Sequence, residues 1–323
     1  MNRNGHFVIS LDFELLWGVF DVVDYNDKFR YFRNTREEIP KILTLFERYD
    51  IHATWAIAGM LFNKDWNEWE KNKPLKLPIY RNSKLSPYSF INNLSEEEKY
   101  KLNDLVFAPE LIKDIKKTAG QEIGTHTYSH FYCLEEGQNV VDFKHDLEKA
   151  IELAEAKNIA IKTLVFPRNQ MKEEYLKVCA GLGINNVRSN PSDWYWENTL
   201  SENIFTKLAR SGDAYFPLGK KTYNLEPKPS DVVLKQPASR FFRPVESNQV
   251  LRKLKLKRIK NEITNAAQNG ETYHLWWHPH NFGDDPVASM NDLELILQHF
   301  KICKEQYGLQ SVNMQELQNS IRE

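Results

Sequence analysis

Two pairs of residues in this 323-residue chain have the types and spacing for metal-assisted hydrolysis. His126 and His130 stand four apart in Gly124-Thr125-His126-Thr127-Tyr128-Ser129-His130. One helical turn, or one tight turn after a strand, aims both imidazoles at the same point. Two neutral imidazoles are the usual start of a zinc site, which then needs a carboxylate and a position open to water. Near the N-terminus, Phe7-Val8-Ile9-Ser10-Leu11-Asp12-Phe13-Glu14 reads as a buried strand ending in two acids on alternate residues. Residues two apart in an extended chain share a face, so Asp12 and Glu14 reach the same space. Unpaired carboxylates closing an apolar strand are too costly to serve packing. The two stretches together supply two imidazoles, a third ligand and one spare carboxylate, with either acid able to take either part. A metal so held acidifies water and polarises a carbonyl. The spare carboxylate can take the proton of that water, and a histidine on the far side can protonate a leaving amine. An arginine can keep the base ionised through charge-assisted hydrogen bonds. This inventory is that of a metal-assisted amide or ester hydrolase.

Such groups need a scaffold that brings distant segments to one place. Thr35 and Glu38 have capping-box spacing and predict a helix from there through Tyr49, with Ile39, Ile42, Leu43 and Phe46 inward. Residues 51–59 read as the second strand. Further strands are predicted at 122–124, 161–167, 186–189, 271–280 and 311–313, separated by helices at 109–118, 142–157, 172–182, 247–268 and 291–306. This alternation favours a parallel sheet or barrel. In (β/α) barrels the reactive residues gather at the C-terminal ends of the strands. Asp12 and Glu14, His126 and His130, Arg168, Asp193 and Trp194, and His278 all follow such ends. Two stretches break the rhythm. Residues 63–104 carry Pro74, Pro78 and Pro87 and read as an insertion with helices of its own. Residues 190–246 are irregular, rich in proline and aromatics. The expectation is a single domain over residues 1–323.

Bulk composition narrows the function classes. Lys and Arg total 43 against 44 Asp and Glu, so net charge points to no nucleic-acid partner. The run Arg252–Lys260 is basic. It reads as a solvated helix face, with an anionic membrane surface as the weaker alternative. Cys133, Cys179 and Cys303 are scattered, which argues against a disulfide frame and a thiolate zinc site and suits a reducing compartment. No run of about 18 apolar residues is present, so no spanning helix is predicted. Met1–His6 enters the first strand without an apolar leader, and a cytoplasmic protein is expected.

The order of these motifs resembles the polysaccharide deacetylase family (NodB homology, carbohydrate esterase family 4) from about Phe7 to His280. Ser10-Leu11-Asp12-Phe13-Glu14 looks like a spaced variant of the family's first motif, which implies Asp12 as base and Glu14 as metal ligand. The one-residue displacement leaves an exchange of these roles open. His126-Thr127-Tyr128-Ser129-His130 matches the family's His-Ser/Thr-x-x-His. Ala53-Thr54-Trp55 is similar to an Ala-Thr-Phe-Phe strand and implies Trp55 near substrate. Phe166-Pro167-Arg168-Asn169-Gln170 stands where the family has Arg-Pro-Pro-Tyr-Gly, which implies Arg168 orienting the base. Asn190-Pro191-Ser192-Asp193-Trp194 stands for Asp-x-x-Asp-Trp and implies substrate contacts from Asn190, Asp193 and Trp194. Leu275-Trp276-Trp277-His278 resembles the last motif and implies His278 as general acid, with His274 and His280 as nearby alternatives.

Membership would imply a distorted (β/α)7 barrel, one divalent ion, usually Zn2+, and removal of acetyl from an N- (or O-) acetylated sugar in glycan or cell-surface polysaccharide biosynthesis. Two other readings compete. One is an allantoinase-like hydrolase of a non-sugar C–N bond. The other is a glycan-binding barrel without turnover, suggested by the altered arginine loop and by Asn190.

Overall fold

The computed structural model describes residues 4–191, 193–196, 204–216, 219–228 and 231–322. Its strands are β1 (His6–Phe13), β2 (Ala53–Ile57), β3 (Gln121–Thr125), β4 (Thr163–Val165), β5 (Asn186–Ser189), β6 (Leu234–Pro237), β7 (Arg240–Phe241), β8 (Thr272–Trp277) and β9 (Gln310–Ser311). They pair in the order β6-β5-β4-β3-β2-β1-β8-β7, all parallel, and β9 joins the start of β1. The helices are α1 (Tyr25–Tyr49), α2 (Trp66–Lys71), α3 (Pro87–Asn92), α4 (Glu96–Val106), α5 (Pro109–Lys117), α6 (Val140–Glu155), α7 (Glu173–Gly181), α8 (Ile204–Gly212), α9 (Gln249–Asn269), α10 (Pro286–Tyr307) and α11 (Met314–Arg322).

The sheet closes through one bent segment. Ala238 N–H still bonds Ser189 beside β5, whereas Ser239 N–H bonds His274 in β8. The chain thus changes neighbour between two residues, and β6 and β7 act as one stave. With β1 to β5 and β8 this makes the seven-stave barrel expected from the sequence. The closing stave lies inside the stretch read as irregular. Its buried positions alternate from Leu234 to the polar Gln236, and Pro237 breaks the strand signal, so no sustained apolar alternation marks it.

Along β1 the two faces divide cleanly. Phe7, Ile9, Leu11 and Phe13 join the large core between sheet and helices, while Val8, Ser10 and Asp12 face the barrel interior. That interior is polar and layered. At its base Glu122 accepts from Thr54, Thr163 and the backbone of Gln315, and Asn186 bonds Gln318, so α11 plugs this end. Above lie Ser10, His274 and Arg188, and Asp12 tops the stack. These buried side chains find their partners in one another.

Two further expectations are corrected. Helix α1 starts at Tyr25, capped by the Asp24 side chain, ten residues before Thr35. Phe32 continues the buried stripe backward, and Thr35 simply bonds the carbonyl of Tyr31 one turn away. The basic run in α9 is not a basic face. Arg252 pairs with Asp292, Arg258 with Asp213, and Lys255 donates to the carbonyls of Arg243 and Pro244. Of the run, Lys253 and Lys257 are the exposed cations. Among the described residues no helix is long and apolar enough to cross a membrane.

Candidate active site

Glu14 follows the end of β1 and turns back over Gly18. A Cβ on Gly18 would lie 1.9 Å from Glu14 Oε1, so only glycine leaves room for this carboxylate. Glu14 Oε2 stands 3.1 Å from His126 Nε2 and 2.9 Å from His130 Nε2. All three side chains are buried. His126 donates from Nδ1 to the carbonyl of Val165 at 2.8 Å. A carbonyl can only accept, so a neutral His126 carries its proton on Nδ1 and presents a lone pair at Nε2. His130 Nδ1 is 3.1 Å from the Tyr132 hydroxyl, which can play the same part.

Carboxylate and imidazole lone pairs therefore converge, and the three ligand atoms lie within 4.8 Å of one another. Glu14 Oε2 is buried with no hydrogen-bond donor of its own. Converging lone pairs repel unless a cation sits among them, and a pair of imidazoles with one carboxylate is a known zinc donor set. The residues present fit a divalent ion. Burial raises the Glu14 carboxyl, yet the charges of His278 and His130 and contacts with both imidazoles hold it well below the usual carboxylate range. Burial lowers His130, and Glu14 only partly offsets this.

Asp12 lies beside this group but is held differently. Arg188, on β5, grips it with two bonds of 2.6 and 2.7 Å, and Arg188 also reaches Ser10 and Asn169. Burial raises the Asp12 carboxyl, but Arg188, His126 and His278 outweigh it and keep it below its ordinary value. Of the two acids whose roles the sequence left open, Glu14 and not Asp12 faces the imidazole pair.

His278 follows β8 across the mouth. Its Nε2 is 3.7 Å from Asp12 Oδ2 and 3.6 Å from Glu14 Oε1, and its Nδ1 lies 3.3 Å from Asn281 Oδ1. It is the exposed one of the late histidines, with 24% of its side chain in contact with solvent. His280 stacks on it at 4.8 Å and is driven to about 3 by burial and by the His278 charge. His274 lies deeper on Ser10, also driven to about 3 by burial and by Arg188. Neither buried ring is suited to deliver a proton near neutral pH.

Three other expectations are changed by the structure. Arg168 does not touch Asp12. It pairs with Asp21 and lies 4.1 Å over the Tyr132 ring. Arg168 and Asn169 both adopt left-handed backbone (φ 53° each), a strained pair that turns the arginine outward and leaves Asn169 to bond Arg188. Trp55 faces outward from β2 into the core against Phe13 and Phe46, away from the mouth. Asp193 is taken by the buried Lys221, which also holds Asp213 at 3.2 Å. The Trp194 side chain lies outside the described residues. Asn190 does border the site, donating to the carbonyl of Asn169. It lines a shallow recess walled by Trp276, Phe241 and Trp196. Trp276 in turn covers Arg188 at 4.2 Å, and Phe241 meets the His278 ring edge-on at 5.7 Å.

The residue that sequence reasoning missed is Arg188. An arginine in a four-residue strand bounded by buried positions requires a buried carboxylate opposite it, and that requirement was the available signal.

The profile of the polysaccharide deacetylase family matches residues 19–187. No curated protein sequence matches this chain. Among solved structures, a chain described as a polysaccharide deacetylase from Mycobacterium smegmatis superposes with a TM-score of 0.62 at 14% identity, over 100% of this chain and 91% of that one. One from Pseudomonas aeruginosa PAO1, described likewise, gives 0.60 at 11% identity over 98% and 91%. PuuE allantoinase gives 0.57 at 10% identity over 98% and 90%. At these identities the superpositions speak for the fold. The profile reaches across the His126–His130 loop and more than half of the residues, and on that match the chain belongs to the polysaccharide deacetylase family.

Proposed function

We propose that this protein hydrolyses the acetyl group from an N- or O-acetylated sugar, using one divalent ion, most simply zinc, held by Glu14, His126 and His130. The observation that carries this reading is the convergence of three buried ligand atoms beside a carboxylate that is not one of them. Bound there, the ion supplies the positive charge that acidifies water and polarises the carbonyl.

The chain's own groups do the rest. Arg188 keeps Asp12 ionised and fixes both its oxygens, so Asp12 Oδ2 accepts the proton of the attacking water as general base. His278 Nε2, opposite, gives a proton to the departing nitrogen or oxygen. Asn281, beside Nδ1, favours the ring orientation in which Nε2 faces the reaction. Arg188 supplies what the altered loop at Arg168 does not, which weakens the reading of an inactive barrel. The aromatic recess with Asn190 at its edge suits the apolar face and polar rim of a sugar ring.

The test is metal analysis of the purified protein together with an acetate-release screen. One equivalent of a divalent ion is expected. Asp12→Asn should retain the ion and lose acetate release by about 10²–10⁴-fold. Full activity in that variant rejects the assignment of the base. Turnover of ureides with no acetate released from any sugar would favour the allantoinase-like alternative.

A further inference from the structure

The loop that carries both imidazoles has a conformation it cannot hold alone. Thr127 (φ 62°) and His130 (φ 56°) both sit in the left-handed region. Thr127 is β-branched, for which this region is a true outlier, and neither position is glycine. Such backbone persists only where its surroundings over-determine it. Inside the loop, the Thr127 hydroxyl accepts from Phe131 N–H at 2.7 Å. Gly59 and Met60 N–H, just past β2, bond the carbonyls of Thr127 and Tyr128 at 2.8 and 2.9 Å, and the loop's own N–H groups are gathered by a further element. Asp146, on α6, is fully buried and faces the loop from below. Its carboxylate accepts Tyr128 N–H at 2.7 Å and Ser129 N–H at 3.1 Å, and the Ser129 hydroxyl also donates to it. These donors are the residues between the two histidines.

We propose that Asp146 is a positioning residue for the ion. It clamps the turn at Tyr128 and Ser129 and thereby sets the separation and aim of His126 and His130. It touches neither imidazole, nor Glu14, nor the space where a substrate would lie. Its effect is carried by backbone amides, which only an acceptor with several lone pairs can gather at once. An uncharged amide at this position meets Ser129 N–H with a donor of its own and loses at least one of the bonds. This inference rests on the metal reading above.

The experiment compares metal affinity in the full-length protein, by competition of Zn2+ against a chelating dye. The proteins are the wild type, Asp146→Asn, Ser129→Ala and Leu147→Ala. Leu147 is the buried apolar neighbour on the same helix; it contributes to the core and offers the loop no hydrogen-bond acceptor. Asp146→Asn is expected to weaken Zn2+ by about 10–100-fold, as the loss of groups that orient metal ligands does. Ser129→Ala, which removes one of the bonds, should weaken it less. Leu147→Ala should lower the melting temperature and leave affinity at the wild-type value. Excess Zn2+ should return the kcat of Asp146→Asn to near wild type. Wild-type affinity in Asp146→Asn, or an equal loss in Leu147→Ala, overturns the inference while leaving the metal site intact. Should Asp146→Asn fail to fold, Ser129→Ala against Leu147→Ala decides the matter by the same criterion. Absence of tight binding in the wild type overturns the metal reading itself, and this inference with it.

Discussion

The two sides of the barrel mouth are built on different principles. On one side, His126 and His130 are set by spacing within a single five-residue stretch, pinned from beneath by Asp146. On the other, Asp12 is held by Arg188, 176 residues away in sequence, reaching across the barrel interior from β5. The first side is local chemistry. The second is register. A local arrangement depends on neighbours in sequence, whereas one set by register depends on which stave lies opposite. Here Arg188 on β5 grips the carboxylate that Arg168, after β4, leaves alone.

The sharpest way to break this contrast lies on the metal side. Glu14→Gln, and independently Gly18→Ala, should abolish stoichiometric metal binding measured by elemental analysis. The second does so without touching a ligand, because its new methyl group occupies the place of the Glu14 carboxylate. Retention of a full equivalent of metal in both would mean that the carboxylate is not in the donor set.

Next in size is the arginine pair. Arg188→Met leaves the Asp12 carboxylate buried and unpaired and should cost about 3–5 kcal/mol in urea unfolding. Arg168→Met, whose guanidinium is one-third exposed beside Asp21, should cost about 1 kcal/mol. Equal losses would dissolve the distinction drawn between the two loops.

A third measurement probes the shared interior. The fully buried His274 is neutral in the folded protein, with its pKa driven down to about 3. The unfolded chain takes up the proton near the ordinary value of about 6.5. The stability contributed by keeping this ring neutral is fully present above that pH and is lost as pH falls toward 3. The expected slope is about 1.4 kcal/mol per pH unit over that window. Removing the ring, as in His274→Gln, should flatten the acid limb of stability against pH by one proton. An unchanged limb would show that this ring is not titrating on unfolding.

The smallest effect is expected at Trp55. Its indole bonds Gln121 at 3.0 Å in the core, away from the mouth. Trp55→Phe should lower the melting temperature by a few degrees, as the loss of about 1 kcal/mol does, with KM for any acetylated sugar unchanged. A raised KM would return this residue to the substrate.

What could be read from the sequence follows the same division. The acid pair on β1 was legible because alternation along one strand is a local rule, and the histidine pair because i and i+4 is another. His278 was legible as the end of a strongly apolar strand. Arg188, the bent stave at Leu234–Phe241 and the true fate of Asp193 were not. Each depends on which stave lies opposite, or on a partner such as Lys221 from a distant loop. Trp55 misled for a related reason. Its neighbours matched a motif, but strand parity, counted from the inward Thr54, already turned it toward the helices.

The seam at Ala238–Ser239 has a consequence for motion. Most seams of the ring are zipped over three or more residue pairs, β3 and β4 meet at Thr125 and Leu164 alone, and here one short segment divides its bonds between two neighbours. Backbone hydrogen exchange at this crossover should be faster than in the well-paired β1, β2 and β8 staves. Breathing there would part β5 from β8, and with them Arg188 from His278, which places a yielding joint of the framework between the partner of the proposed base and the proposed proton donor.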